Sequence, residues 1–476
     1  MPQAQPPTAA ADGLPLPRRA LAIAAISFGT ALFVIDGNIA NVALPTIARD
    51  LGVSAGAVVT VVTLYQLVLV MALLPFANLG DRVGHRRLYQ AGQLIFMLAS
   101  ALTLLADSFH ALLAIRAAQA LGAGMALSVS AAMLRQIYPA RSLGSGLGIN
   151  SVIVASSNAL APTVGGLLVA QLDWRWVFVA AVPMAALSLL IGRALPEPEP
   201  RPGRFDWAGG LWSAATFGLV IGGMELAIHG TLAPGLALAA VGAVAGVALV
   251  RREWSREQPV LPVDLLRDPQ IGLSALAAIA GFMASASLIV SLPFRLEQGL
   301  GYRPDQVGLM ILPFPLTLLF VAPAAGWLSD RINASLLGVT GMAMAIAGLL
   351  LIAFLPEGAQ WSDIAWRLSL AAAGFGLFFA PNSRLIIGGA PRARSASAGG
   401  LLSTSRLLGQ TLGASLVGGM LALGLGLSPV PLVIAAGLAV AAAAASLVRL
   451  GHGRRTDAEP ERTPPVPPET QGGPNA

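Results

Sequence analysis

Asp36 lies in the middle of the first long apolar stretch, Ala20 to Ile47, with Asn38 and Asn41 close by. A carboxyl group at mid-bilayer depth costs about 2.5–3.5 kcal/mol even on insertion-based scales. Such a group is kept where it meets a water-filled path and handles ions or protons. Removal from water favours the protonated form of a carboxyl, so Asp36 is placed to load and release a proton. Ionised, it attracts cations; protonated, it does not, so a proton and a cationic substrate would compete for it. The alternative is a structural bridge between helices. Asn38 and Asn41 follow at i+2 and i+5 and need not share its face.

Arg116 sits deep in another apolar run. A guanidinium keeps its proton, so this one needs a counter-charge or carbonyl acceptors. It either tunes a nearby carboxylate or forms a polar bridge. Asp81, Arg82, Gly84 and Arg86 occupy a short polar break, and Asp330 with Arg331 occupies a second one. A carboxylate in such a break can dock at the positive end of a helix, which makes these residues candidate conformational latches. Tyr65, Gln66, Ser128, Ser130, Asn158 and Asn382 are candidate cavity-lining groups, together with Asn38 and Asn41. Glu225, with His229 four residues on, reads as a pair snorkelling to the membrane interface, the alternative being a second proton site.

Several chemistries are excluded as expectations. The histidines (His85, His110, His229, His452) show no metal-ligand spacing, there is no cysteine, and all 29 basic residues are arginine. Without lysine there is no Gly-Lys-Ser/Thr phosphate loop. Neither an enzyme nor a cofactor is expected, so the energy must come from an ion gradient, worth about 2.3 kcal/mol per charge per 100 mV.

The elements that position these residues are membrane helices. Of 476 residues, 55% are hydrophobic and 11% charged, against about 25% charged in soluble domains. A span needs about 20 apolar residues. Runs of that length are centred near Phe33, Leu67, Leu98, Gly122, Ile153, Ala185, Phe217, Val241, Ala280, Leu316, Met344, Phe375, Ser415 and Ala439, fourteen in all. With that count, 21 arginines fall on the side of the termini and five (Arg49, Arg175, Arg295, Arg303, Arg367) on the other. Arg116, Arg384 and Arg406 fall within spans or at their edges. The bias places both termini in the cytoplasm. Arginines parcelled into loops in this way do not form a nucleic-acid face.

An internal repeat organises the spans. Gly80-Asp81-Arg82 recurs as Ser329-Asp330-Arg331 at an offset of 249, and Arg141–Leu147 recurs as Arg394–Gly400 at an offset of 253. Two parallel six-helix halves follow, with an extra pair of helices between them. The expected divisions are a disordered N-terminus (1–19), a first bundle (20–195), a linker carrying two spans (196–268), a second bundle (269–450) and a disordered tail (451–476). By this symmetry Asp81 would dock at Ser395–Gly400 and Asp330 at Gly144–Gly146.

This all-α polytopic architecture resembles the major facilitator superfamily, and within it the fourteen-helix drug:proton antiporter branch. The resemblance runs from about Phe28 to Leu447 and rests on Asp36–Pro45, Leu79–Arg87, Arg116–Gln119, Ala161–Gly166, Trp174–Phe178, Pro293–Pro313 and Ala380–Gly413. Ala77, Ala120 and Ala161 stand where those motifs usually carry glycine. The resemblance implies two six-helix pseudo-symmetric bundles plus two inserted helices. It implies proton coupling through Asp36 and Arg116, and a bending fifth span at Pro162, Gly165 and Gly166. It also implies export of lipophilic or cationic drugs across a bacterial inner membrane by alternating access. The partners are then a small-molecule substrate, protons and the lipid bilayer, with the protein working as a monomer. A periplasmic adaptor and outer-membrane channel are compatible with this reading, although no dedicated docking element is legible. Two other readings fit the same residues: transport of a specific metabolite, siderophore or amino acid, and a sensor or scaffold without flux.

Overall fold

A computed structural model describes residues 13–139, 143–197, 207–228, 231–254, 263–329, 331–356, 358–390 and 395–456. The first helices are α1 (Leu16–Asp50), α2 (Ala55–Val58), α3 (Thr60–Val83), α4 (His85–Leu102), α5 (Phe109–Ile137), α6 (Leu143–Gln171), α7 (Trp176–Val179) and α8 (Val182–Ile191). Then come α9 (Trp207–Ile228) and α10 (Leu232–Trp254). The chain continues through α11 (Pro269–Phe294), α12 (Pro304–Ile311), α13 (Pro313–Leu328), α14 (Ala334–Ala353), α15 (Trp361–Gly389), α16 (Ser395–Ala422) and α17 (Val430–Thr456). Among the described residues, 12 helical stretches are long and apolar enough to cross a membrane. The longest helix, α1, has 35 residues, or about 52 Å at 1.5 Å per residue. It therefore outreaches the hydrocarbon and carries Asp36 to its middle.

Local chemistry sets the helix ends. Ser108 caps α5 by accepting from the Ala111 amide at 3.2 Å, and Asp268 caps α11 through the Gln270 amide at 2.7 Å. Gly84, at φ +104°, turns the chain between α3 and α4, a conformation that L side chains resist. Pro45 lies inside α1 rather than at a break. Helix reaches beyond the expected divisions at both ends: α1 begins at Leu16, within the stretch read as disordered, and α17 runs to Thr456. The remainder of both expected tails lies outside the described residues.

Packing separates two cores. One cluster joins Ile26, Phe33, Tyr65, Phe96 and Ala126, from α1, α3, α4 and α5. Another joins Leu288, Phe314, Met342, Phe375 and Ala439, from α11, α13, α14, α15 and α17. Each contains tight glycine contacts, and one pair of them corresponds between the two. A Cβ on Gly92 would lie 2.5 Å from the Gly122 carbonyl oxygen, and one on Gly374 would lie 2.5 Å from that of Gly341. The two contacts stand at offsets of 249 (92 to 341) and 252 (122 to 374), so this backbone crossing recurs at the period of the sequence repeat. The inserted pair stays outside both cores: α9 packs on α3 and α16, and α10 packs on α9. The outer side chains of α10, among them Leu236, Val244 and Val247, are exposed, as expected of a helix facing lipid.

The two cores meet on the face opposite the termini. There α6 packs on α12, α2 on α16, and Arg49 of α1 forms an ion pair with Glu297 just beyond α11. A Cβ on Gly166 would sit 2.5 Å from the Pro304 carbonyl oxygen, and one on Gly308 would sit 2.6 Å from that of Pro162. Backbone meets backbone at this seam, which leaves no room for a methyl group. Val417, fully buried beside it in a cluster with Ile39 and Phe294, seals the centre.

Overpacking such a contact costs about 1–3 kcal/mol, enough to shift a closed–open equilibrium about tenfold. In this cysteine-free chain, a Val417→Cys reporter should therefore react about tenfold faster with an impermeant maleimide once Gly166→Val is added. An unchanged labelling rate would show that the seam does not hold this face shut.

Candidate functional site

Asp36 and Arg116 face each other across the α1–α5 contact, 0% and 1% exposed. The Arg116 Nη1 donates to both carboxylate oxygens, at 3.2 and 3.0 Å. It also reaches Gln119 Oε1 at 2.8 Å, and Gln119 Nε2 donates to Ser100 Oγ at 2.9 Å. Arg116 and Gln119 can act together because residues three apart share a helix face. The Arg116 Nε points at the Val61 carbonyl, 3.4 Å away. The guanidinium lies 4.2 Å from the centre of the Tyr65 ring and 4.9 Å from that of Phe178, a cation–π cradle. A buried ion pair repays its desolvation only when the remaining donors find partners, and this network supplies them.

The pair also corrects an expectation. Asp36 does not meet water in this conformation; its charge is neutralised and its side chain sealed. Space does open nearby, because a Cβ at Gly37 would meet no atom within 4 Å.

The asparagines turn elsewhere. Asn38 Nδ2 donates to Asn158 Oδ1 at 2.9 Å and to the Val34 carbonyl at 2.8 Å, which links α1 to α6. Asn41 Nδ2 reaches the Asn38 carbonyl at 3.2 Å. Its Oδ1, like the Gln66 Oε1, is buried without a hydrogen-bond partner. Ser128 and Ser130 donate to carbonyls of their own helix, those of Met125 and Ala126. Asn382 lies in a polar knot within the second core, 2% exposed. It donates to the Ser274 carbonyl at 2.9 Å and accepts from Arg449 at 2.8 Å. Arg449 also reaches the hydroxyls of Ser274 and Ser335.

The recorded contacts of Asp81, Arg86 and Arg331 are each with residues of their own half. Asp81 pairs with His85 Nε2 at 2.9 Å, four residues on. Arg86 and Arg87 clamp Glu197, at 2.5 and 2.9 Å, where the first bundle ends. Arg331 stacks over Trp327 at 3.5 Å. Asp330 lies outside the described residues, as do the side chains of 395–397 and of 144–146, where docking was expected. Arg82 lies in the last turn of α3. Pro162, Gly165 and Gly166 belong to the closed seam, and a Cβ on Gly165 would strike Ile39. The Ala161 methyl is fully buried in the cluster of Ile39 and Leu44, so α6 tolerates it. Glu225 turns inward rather than to the interface: Thr63 Oγ1 of α3 donates to its Oε1 at 2.7 Å. His229, its expected neighbour, lies outside the described residues.

Sequence reasoning passed over Gln119, Phe178 and Glu297. All three stand inside the motif segments named above; Gln119 was within reach through its i+3 spacing from Arg116, whereas nothing in the spacing of Phe178 reveals that it covers the guanidinium. Glu297 follows a proline-containing helix end, and its partner is far away in sequence.

Known proteins place this geometry in a family. The profile of the Major Facilitator Superfamily matches residues 26–268 and 273–473. The chain is 43% identical over 424 residues to the "Uncharacterized transporter YebQ" of Escherichia coli (strain K12), covering 87% of this chain and 92% of that protein. It is 28% identical to the "Riboflavin transporter RibZ" of Clostridioides difficile, covering 84% and 88%. It is 31% identical to the "Multidrug resistance protein Stp" of Mycobacterium tuberculosis (strain CDC 1551 / Oshkosh), covering 84% and 76%. A multi-pass helical membrane protein with these matches along most of its length belongs to the major facilitator superfamily and is a transporter, not an enzyme.

Proposed function

We propose that this chain is a proton-driven antiporter that exports lipophilic compounds from a bacterial cytoplasm by alternating access. The observation that carries the reading is the sealed Asp36–Arg116 pair at the middle of α1, beside the seam between the two cores. Protonation of Asp36 cancels the charge that holds Arg116 and frees α1 and α5 to shift against each other. Deprotonation restores the pair. The proton thus acts on helix packing, and a buried ion pair is a two-state element of the kind alternating access needs. Because Arg116 already satisfies the carboxylate, the acid is less suited to holding a cationic drug than its isolated position in the sequence implies.

Further elements complete the reading. Fourteen spans are supported by α6 and α16, helices of 29 and 28 residues centred on the fifth and thirteenth apolar runs. The 21-to-5 arginine bias supports cytoplasmic termini. The Asp81–Arg87 loop and its counterpart at Asp330 and Arg331 serve as latches on the cytoplasmic side. Pro162, Gly165 and Gly166 let α6 rock on α12. The similarity to a protein named for multidrug resistance supports a broad cargo range. The similarity to one named for riboflavin transport favours a second reading, a single metabolite as cargo. A susceptibility panel separates them, since broad export protects expressing cells against several unrelated compounds.

Inside-out vesicles test the coupling. Wild type should accumulate substrate when the lumen is acidified and lose it with an uncoupler, while Asp36→Asn should fall to the background of empty vesicles. Full gradient-driven uptake by Asp36→Asn would remove the proton role.

Stability tests the pair itself. Arg116→Ala leaves a buried carboxylate alone, which costs about 3–5 kcal/mol. Thermal unfolding should therefore show a large drop for this variant. Asp36→Asn combined with Arg116→Gln should recover most of the lost stability while remaining transport-dead. Recovery of transport in the double variant would mean that the pair only holds helices together.

A further inference from the structure

Gly399, Arg406, Gln410 and Val417 form one stripe along α16, at intervals of seven, four and seven residues that return to one helix face. The faces on either side of it are packed. Leu407 and Ala414 join the clusters of the first half. A side chain on Gly409 would strike α11 at the Ile279 carbonyl and the Phe282 Cβ. The stripe between them points to the centre of the molecule. Its exposure changes along its length: Val417 is fully buried at the seam, Gln410 is half-buried and Arg406 is exposed. At Gly399 a Cβ would meet no atom within 4 Å. The centre is therefore closed at Val417 and open at Arg406.

Arg406 is uncompensated. Among the described residues it has no hydrogen bond, ion pair or ring contact. The acids carried at membrane level are engaged elsewhere: Asp36 with Arg116, Glu297 with Arg49, and Glu225 with Thr63. A cation at membrane level without a partner among the described residues is costly until an anion joins it. Beside it stands an aromatic wall. Phe282 stacks on Phe379 with ring centres 4.1 Å apart and planes 8° apart, and Phe379 continues to Phe375 at 5.6 Å and 11°. Phe282 borders Gly409, three residues from Arg406.

We infer that Arg406 and the Phe282–Phe379 stack form the cargo site, and that the cargo class is planar aromatic compounds bearing an acidic group (carboxylate, sulfonate or phosphate). The ring system lies against the stacked phenylalanines, the anionic group pairs with the guanidinium, and Gln410 supplies a neutral hydrogen-bonding partner. The charge selection expected of Asp36 passes to a residue of opposite sign on the facing half. This deepens the transport reading above and rests on it.

Equilibrium binding to the full chain in phosphatidylcholine nanodiscs tests the site without a gradient, so charge preference and proton coupling can fail separately. The probes are fluorescein, a planar aromatic anion, and ethidium, a planar aromatic cation. Wild type should bind fluorescein. Arg406→Gln should weaken it at least about tenfold, as loss of a desolvated charge partner does. Arg406→Lys should retain most of it, and ethidium should gain rather than lose in Arg406→Gln. Monodisperse elution and wild-type thermal unfolding of both variants exclude misfolding as the cause. Equal fluorescein binding by wild type and Arg406→Gln would overturn the assignment, as would its absence from wild type or a loss equally severe in Arg406→Lys.

Discussion

Everything central in this molecule is arranged around the cost of placing a carboxylate and a guanidinium where water does not reach. Asp36 and Arg116 come from helices 80 residues apart, and neither is stable at that depth alone. Together they need Gln119, the Val61 carbonyl and two aromatic faces to satisfy what the ion pair leaves over. That requirement holds α1, α3 and α5 in one register. Under the proposed proton role it would also make the register conditional on protonation state, since a neutral acid no longer needs the same partners. In a lipid-facing protein, where hydrophobic burial between helices drives little association, a conditional polar contact of this kind can move helices.

The other constraint is steric. Small residues let backbones touch where the halves join and where helices cross within each half. Gly92 with Gly122, and Gly341 with Gly374, fix the crossings inside the two bundles. Gly166 with Gly308 closes the seam between them. The first two are internal to the bundles, while the third lies between them, on the surface that the proposed alternating access would open. A close-packed seam without polar adhesion suits that role. The Arg49–Glu297 pair adds a charge contact at its rim, between an exposed guanidinium and a buried carboxylate.

Much of the fold was legible in the sequence because a membrane helix advertises itself by length and hydropathy. The apolar centres lie within helices, 12 stretches of which are long and apolar enough among the described residues to cross a membrane, and the repeat offsets reappear as glycine crossings. Chemistry was less legible. Asp36 and Arg116 stood out as charges inside apolar runs, yet their pairing is a tertiary fact that no local spacing encodes. Asn382 advertised polarity but not direction; it turns to Arg449 and Ser274 in the second core. Glu225 carried the signal of a snorkelling acid, and Thr63 across a helix interface draws it inward instead. Arg406 was visible as a charge in a span, but its importance lies in what faces it. Only the packed flanks of α16 single it out, as a charge between them with no partner among the described residues.

The most direct test of the account is whether the Asp36 carboxyl gains and loses a proton while the protein remains folded. Infrared difference spectra of the purified protein, collected across a pH titration, report the protonated carboxyl stretch. A band should rise on acidification, vanish in Asp36→Asn and shift in wild type when Arg116 is replaced by glutamine. If the carboxyl stays ionised at every pH where the protein transports, the pair is a fixed bridge and the proposed proton role of Asp36 fails.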